Sequence, residues 1–234
     1  MGSHQKAIAV VPAAGIGSRM GSDIPKQYLE LAGGRVIEHT LHALLAIPFI
    51  DRVVVGIAAH DEHWPTLSIA SHPKIFTAPG GTDRAETVTN CLLPLNDENP
   101  NTWVLVHDAV RPCVKREDIA LMWQALQDDD CGGLLAVPLN DTIKRADTNE
   151  RVTATVDREA LWAAQTPQMF RLGALLSALE QADDQQFRVT DEASAIERAG
   201  GKPRLVLGSH SNIKITRPDD LALAAFYLEE NREG

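Results

Sequence analysis

Short, continuous apolar runs alternate along the chain with longer segments in which apolar residues recur every three or four positions. The periodic segments are typical of amphipathic helices and fall at Val36–Leu45, Arg84–Leu93 and Glu117–Gln127. The continuous runs indicate buried strands and fall at Lys6–Val11, Arg52–Ala58, Lys74–Ala78, Trp103–His107 and Gly133–Pro138. Because such strands are buried on both faces, the alternation predicts an α/β, Rossmann-like fold, with a mostly parallel, twisted sheet and helices on both faces.

The pattern changes after the fifth strand. From Asn140 to Val156 the chain is polar and rich in β-formers, and Asp147-Thr148-Asn149-Glu150 is typical of a turn between two halves. Residues 139–157 are therefore predicted to form an extended β-hairpin arm that protrudes from the sheet. A lone hairpin is only marginally stable in water, so we expect the arm to pack on a second copy of the chain, giving a homodimer.

After the arm, the pattern of helices and strands resumes. It predicts helices at Leu172–Gln181 and Asp191–Ala199, strands at Arg204–Leu207 and Asn212–Ile215, and a last helix that starts at Thr216-Arg217-Pro218-Asp219. Thr216 and Asp219 can cap this helix as in a capping box, and its inner face is formed by Leu221, Ala224, Ala225 and Leu228. We expect residues 5–234 to form a single domain. Residues 1–4, Met-Gly-Ser-His, are typical of a vector remnant.

Composition narrows the classes of partner. The 234 residues carry a formal net charge of −10, whereas a general nucleic-acid or anionic-membrane binder needs a basic face. No apolar run reaches the roughly 18 residues of a membrane span. The three cysteines are widely spaced and fit neither a disulfide framework nor a zinc site. We expect a cytoplasmic protein that binds a small anionic ligand through a local cluster of cations.

A glycine-rich loop follows the first strand, with glycines at 15, 17 and 21. Small residues let backbone amides approach a phosphate. The third glycine comes one position later than in the dinucleotide fingerprint, and the Gly-Lys-Ser/Thr ending of a Walker loop is missing. Arg19 and Lys26 add positive charge, which suits a triphosphate better than the pyrophosphate of a dinucleotide. An ordinary turn between strand and helix, with surface cations, is the alternative interpretation.

Five stretches, in order, carry a resemblance to a known family. They are Pro12-Ala13-Ala14-Gly15-Ile16-Gly17-Ser18-Arg19-Met20 with Pro25-Lys26-Gln27-Tyr28, then Gly80–Val88, Val106–Pro112, Thr155–Arg158 with Gln165–Gln168, and Thr190–Ser194 with Asn212–Thr216. Together they resemble the 2-C-methyl-D-erythritol 4-phosphate cytidylyltransferase family from near the start of the chain to its final helix. The first stretch alone recurs across nucleotidyltransferases. Thr87 and Val110 stand where the family often has Ser and Ala.

The resemblance implies a nucleotidyltransferase fold and transfer of a cytidylyl group from CTP to 2-C-methyl-D-erythritol 4-phosphate, with release of pyrophosphate, in non-mevalonate isoprenoid biosynthesis. The catalytic cations that it implies are Arg19, Lys26 and Lys214. The implied CTP-binding residues are Ala13, Ala14, Gly15, Gly81, Asp83, Thr87, Asp108 and Ala109. The implied substrate-binding residues are Asp108, Arg111, Thr142, Arg158, Thr166, Thr190 and Lys214. Mg²⁺ is expected on the CTP phosphates, without metal ligands from the protein.

The implied reaction explains why cations are needed from both sides. A phosphate monoester oxygen is already anionic at neutral pH, so catalysis reduces to holding two repelling anions together and stabilising the charged phosphorus centre. Lys26 lies early in the chain and Lys214 late, so they can approach that centre from two directions. Arg111 has two open interpretations, as a ligand contact or as a residue that holds its loop. Arg158, at the base of the arm, would act in the neighbouring subunit if arms are exchanged.

Two alternatives to this function remain open from the sequence. One is a related cytidylyltransferase for another polyol phosphate, such as ribitol 5-phosphate. The other is a nucleotide-binding regulatory protein without turnover, although such a protein would not need Arg19, Lys26 and Lys214 to converge on one phosphate.

Overall fold

The computed structural model describes residues 5–15 and 24–233. Its strands are β1 Ala7–Pro12, β2 Glu30–Leu31, β3 Gly34–Arg35, β4 Ile50–Ile57, β5 Ile75–Pro79, β6 Trp103–Val106, β7 Gly133–Pro138, β8 Ile143–Ala146, β9 Val152–Val156, β10 Trp162–Arg171 and β11 Arg204–Leu207. Its α-helices are α1 Val36–Leu45, α2 Arg84–Leu92, α3 Arg116–Leu126, α4 Leu172–Asp184, α5 Glu192–Arg198 and α6 Asp219–Glu233. No helix in these ranges is long and apolar enough to cross a membrane.

Seven strands form one sheet in the order β11-β7-β10-β6-β1-β4-β5. Six of them run parallel, and β10 runs antiparallel to its neighbours β6 and β7. The prediction of a mostly parallel α/β sheet is therefore confirmed. The carboxyl ends of the parallel strands meet at one edge, where open α/β folds place their ligands.

The strands bury side chains on both faces of this sheet. Along β1, Ala7, Ala9 and Val11 enter one apolar cluster, and Ile8 and Val10 enter a second one. Helices α1 and α3 pack in the first cluster, whereas α2, α4 and α5 pack in the second. The helices thus cover both faces, as the continuous apolar strands predicted.

Besides the short β2–β3 pair, which was not predicted, two parts of the sequence-based assignment need correction. The segment Asn212–Ile215 is not a strand: the Asn212 N–H donates to the Ser209 carbonyl, and the Ile215 N–H donates to the Val110 carbonyl. These bonds tie the segment to loops rather than to a neighbouring strand. Conversely, β10 was missed, because Pro167 inside a polar stretch argues against a central strand. Its pairing with β7 is interrupted between Ala164 and Gln168, which accommodates the proline.

The arm has the predicted form. Strands β8 and β9 pair antiparallel as a separate two-stranded sheet, with Ile143 opposite Val156. The Asp147 carboxylate accepts the backbone N–H groups of Asn149 and Arg151 at 2.9 Å each, which closes the predicted turn. Most arm side chains are exposed, and Val152 is 63% exposed. The arm therefore buries little of its own surface within one chain.

Candidate active site

A cavity of about 410 Å³ lies at the carboxyl ends of β1, β5 and β6. Among the residues that the structure describes, its lining contains every predicted catalytic and CTP-binding residue: Ala13, Ala14, Gly15, Lys26, Gly81, Asp83, Thr87, Asp108, Ala109 and Lys214. Arg19 and the rest of segment 16–23 lie outside the described residues. Four parts of the chain that are far apart in sequence thus form one concave site.

Gln27 holds the backbone of the segment Ala13–Gly15, directly after β1. Its buried side chain donates from Nε2 to the Ala13 carbonyl at 2.6 Å and to the Gly15 carbonyl at 3.0 Å. Gln27 belongs to the short 3-10 turn Lys26–Tyr28, so this turn both contacts the backbone at Ala13–Gly15 and carries Lys26. Lys26 Nζ donates to the Ile215 carbonyl at 3.3 Å. The ammonium group of Lys26 is therefore held against the segment that carries Lys214.

The turn after β5 forms another wall of the cavity. The Thr87 hydroxyl donates to the Asp83 carbonyl at 2.7 Å and accepts the Gly81 N–H at 3.0 Å. Asp83 caps α2 by accepting the Glu86 N–H at 2.9 Å. A Cβ atom on Gly80 would lie 2.2 Å from the Ala14 Cβ, so glycine is needed for the two backbone segments to approach. Thr87 thus shapes the backbone predicted to bind the base.

Asp108 is the centre of a charged network directly after β6. Its carboxylate accepts Arg84 Nε at 2.9 Å and lies 2.9 Å from Lys214 Nζ and 3.5 Å from Arg111 Nε. Burial opposes the ionised form, but the charges of Arg84, Lys214 and Arg111 outweigh it and hold the pKa of Asp108 well below its usual range. An ionised Asp108 therefore positions Lys214, which comes from the far end of the chain.

Arg84 links Asp108 to the buried Glu192 at the start of α5. Its Nη1 and Nη2 atoms donate to the two Glu192 carboxylate oxygens at 2.6 and 3.1 Å. Burial opposes the charge on Arg84, but Glu192 and Asp108 together raise its pKa. Both residues lie inside the family motifs, but neither was among the predicted site residues. Their pairing joins positions 108 residues apart, which no local pattern could reveal.

The predicted substrate-binding residues fall into two groups. Thr166 and Arg111 join the Asp108 network: the Thr166 hydroxyl oxygen accepts the Asp108 N–H at 3.0 Å, and Arg111 Nη1 donates to the Asn212 carbonyl at 2.6 Å. For Arg111, these contacts favour the loop-holding interpretation. Thr142, Arg158 and Thr190 are exposed and are not among the cavity-lining residues. Arg158 donates to the Asn140 carbonyl at the base of the arm.

The sheet, the glycine-rich sequence after β1 and the two lysines in the cavity define an α/β nucleotide-binding protein of the nucleotidyltransferase class. Residues 7–230 match the family model of 2-C-methyl-D-erythritol 4-phosphate cytidylyltransferase. The chain belongs to this family, which confirms the resemblance seen in the motifs.

Individual relatives are similar over nearly the whole chain. The chain is 55% identical to the 2-C-methyl-D-erythritol 4-phosphate cytidylyltransferase of Pseudomonas putida, over 91% of this chain and 92% of that protein. It is 48% identical to the protein of the same name in Vibrio vulnificus, over 99% and 98%. The crystal structure of the Francisella tularensis 2-C-methyl-D-erythritol 4-phosphate cytidylyltransferase matches with a TM-score of 0.84 and 36% identity, over 95% of this chain and all of that one.

Proposed function

We propose that this chain transfers the cytidylyl group of CTP to 2-C-methyl-D-erythritol 4-phosphate, giving 4-diphosphocytidyl-2-C-methyl-D-erythritol and pyrophosphate. Family membership over residues 7–230 supports the choice of both substrates. The observation in the structure that best supports the chemistry is the convergence of Lys26 and Lys214 on one cavity. The Lys26 ammonium contacts the backbone next to Lys214, so both cations can face one reacting phosphorus atom.

The proposed mechanism is an in-line displacement at the α-phosphorus of CTP. The substrate phosphate attacks as a preformed anion, and pyrophosphate leaves from the opposite side. Lys26 and Lys214, with Arg19, offset the repulsion between the two anions and stabilise charge that develops at the phosphorus. The Gly81–Thr87 turn offers backbone groups to the base, and Asp108 keeps Lys214 in place. Positioning and charge stabilisation then account for catalysis without a general base.

We propose that Mg²⁺ enters with the CTP phosphates. Among the described residues, no group of three His, Cys, Asp or Glu side chains could hold a metal ion. The two carboxylates in the cavity already have partners, since Asp83 caps α2 and Asp108 pairs with three cations. These donors fit a metal held mainly by phosphate oxygens and water, as Mg²⁺ prefers. When bound, the ion would neutralise phosphate charge.

Pyrophosphate release tests the proposed function. The protein is mixed with Mg²⁺, each nucleoside triphosphate and each candidate polyol phosphate, and pyrophosphate is measured. We expect release only with CTP and 2-C-methyl-D-erythritol 4-phosphate, and its loss when a chelator removes the metal. Release with ribitol 5-phosphate instead would identify a different cytidylyltransferase. No release with any pair would leave a nucleotide-binding protein without turnover.

We also propose a cytoplasmic homodimer in which the arm of one subunit contacts the other. The exposed arm side chains support this, because a hairpin that packs on nothing is marginal in water. The position of Arg158 at the arm's base, outside the cavity lining of its own chain, suits a phosphate contact in the neighbouring site. Free cysteines, two of them buried, suit a reducing compartment.

Mixed dimers test whether Arg158 acts across the subunit interface. The Arg158→Ala and Lys214→Ala variants should each be nearly inactive alone. If Arg158 serves the neighbouring site, refolding them together at equal amounts should restore about a quarter of wild-type activity, because half the dimers are mixed and each contains one intact site. Refolding Lys26→Ala with Lys214→Ala is the control and should restore nothing, since both lysines line one cavity. No recovery with Arg158→Ala would place Arg158 in its own subunit's site or outside both sites.

A further inference from the structure

His107 is a buried histidine next to Asp108 for which the proposed mechanism has no role. Its side chain is fully buried between the end of β6 and β10, and it does not line the cavity. Its Nε2 atom lies 3.1 Å from the Arg111 carbonyl oxygen, and its Nδ1 atom lies 2.9 Å from the Thr166 hydroxyl oxygen. Both ring nitrogens therefore have partners that belong to, or contact, the Asp108 network.

The partners determine which ring nitrogen carries the proton. A carbonyl oxygen can only accept, so Nε2 must be protonated and donate to Arg111. Burial lowers the pKa of His107 from 6.5 to about 4, even though the charge of Asp108 opposes this shift. The ring is thus neutral at physiological pH and has only one N–H. Nδ1 is then an acceptor, and the Thr166 hydroxyl must donate to it.

This assignment gives a hydrogen-bond chain with one direction. The Asp108 N–H donates to the Thr166 oxygen, the Thr166 O–H donates to Nδ1, and Nε2–H donates to the Arg111 carbonyl. This series of hydrogen bonds begins and ends on the loop that carries Asp108 and Arg111, and it includes the Thr166 hydroxyl of β10. The single Thr166 proton is used within the chain, so toward a ligand Thr166 can only accept a hydrogen bond.

We infer that His107, as the neutral Nε2–H tautomer, is a positioning residue that orients the Thr166 hydroxyl and thereby holds Asp108 where it pairs with Arg84 and Lys214. The inference rests on the proposed function, because it concerns the placement of that reaction's cations. It also refines the expected role of Thr166, which would accept from a substrate hydroxyl group and could not donate to a phosphate oxygen.

Two substitutions at His107 separate the two halves of this hydrogen-bond chain. In His107→Asn, the shorter amide can place its oxygen near the Nδ1 position and still accept from Thr166. In His107→Gln, the longer amide can reach the Arg111 carbonyl but leaves the Thr166 hydroxyl without its acceptor. We expect kcat to fall about tenfold in His107→Gln, less than the roughly hundredfold that a displacement of about 1 Å of a reacting group can cost, and less than about threefold in His107→Asn. A purely structural role would lower both variants alike, and that result, or full activity of His107→Gln, would overturn the inference.

The tautomer itself can be observed without any activity. In protein labelled with ¹⁵N at histidine, the signal lost in either variant identifies His107 among the eight histidines. We expect a protonated Nε2 and an unprotonated Nδ1 at pH 7. A charged ring, or a proton on Nδ1, would overturn the inference even if neither variant shows any turnover. Because this measurement does not depend on turnover, it remains decisive if the proposed reaction is wrong. Absence of pyrophosphate release from the wild type would refute only the proposed function.

Discussion

Replacing Lys214 by alanine should lower kcat for pyrophosphate release about a hundredfold or more, the scale for losing one charge contact to a transition state. The Lys214 ammonium lies 2.9 Å from Asp108 in the cavity, and its side chain is 38% exposed. We expect the variant to fold, because Asp108 keeps Arg84 and Arg111 as partners. Lys26→Ala should produce a loss of similar size, because Lys26 supplies the other half of the converging charge. Steady-state kinetics at saturating CTP and substrate measure both effects.

The state of Asp108 in this variant helps to interpret the result. Without Lys214, Asp108 still accepts Arg84 Nε at 2.9 Å and lies 3.5 Å from Arg111, so it stays ionised. A loss of kcat would then reflect the missing ammonium group rather than a protonated carboxyl group.

Lys6, which precedes β1 at the end of the strand away from the cavity, provides the matched control. Lys6 pairs with Asp51 at 2.6 Å on the surface, and an exposed pair of this kind contributes little to stability or function. Lys6→Ala should keep wild-type kcat. If Lys214→Ala retained turnover within about fivefold of the control, Lys214 would not be a catalytic residue.

Local patterns were sufficient to predict most elements of the fold. The bounds of α1, β7 and β11 agree with the prediction, because α1 has a clear apolar period, the two strands are short apolar runs, and glycine or proline lies near the ends of each. In α6 the predicted buried face is confirmed, with Ala224 fully buried, but the cap differs. The Asp220 carboxylate, rather than Asp219, accepts from the Thr216 hydroxyl and backbone N–H at 2.9 and 2.8 Å. Capping geometry depends on where the chain enters the helix, which a one-residue shift changes.

The missed features depend on contacts between distant parts of the chain. Strand β10 is polar around Pro167, yet it becomes a central strand because β6 and β7 offer it a pairing partner on each side. The extended segment 212–215 has β-like composition but finds its hydrogen-bond partners in loops. A single sequence carries no signal for either outcome.

In the candidate site, too, some residues could be predicted from local sequence and others depend on contacts between distant parts of the chain. The cavity-lining residues on the loops after β1, β5 and β6 could be predicted, because strand ends of parallel sheets converge. The partner of Glu192 could not be predicted, since its acidic side chain at the first position of a helix is equally typical of an exposed residue that interacts with the helix dipole. Only the fold brings it to Arg84.

Removing the Glu192 carboxylate should cost about 3 kcal/mol in the free energy of unfolding, the low end of the range for breaking a buried ion pair, because the Arg84 side chain is 27% exposed. Glu192 is 1% exposed, and both of its oxygens accept from Arg84. In Glu192→Ala the Arg84 guanidinium keeps Asp108 but loses its bidentate partner inside the protein. Urea unfolding at neutral pH measures the change. Glu98→Ala is the control: Glu98 pairs with Arg52 on the surface, and its loss should cost less than about 1 kcal/mol.

A double substitution separates the contribution of this pair to stability from its contribution to catalysis. Replacing both members by apolar residues, as in Arg84→Met with Glu192→Leu, leaves no unpaired charge from the pair and should recover much of the stability lost in Glu192→Ala. Turnover should not recover, because Asp108 would still lack the Arg84 contact at 2.9 Å that helps to hold it beside Lys214. A stable double variant with wild-type kcat would show that Arg84 and Glu192 serve folding alone. A double variant as unstable as Glu192→Ala would instead trace the cost to lost packing rather than to an uncompensated charge.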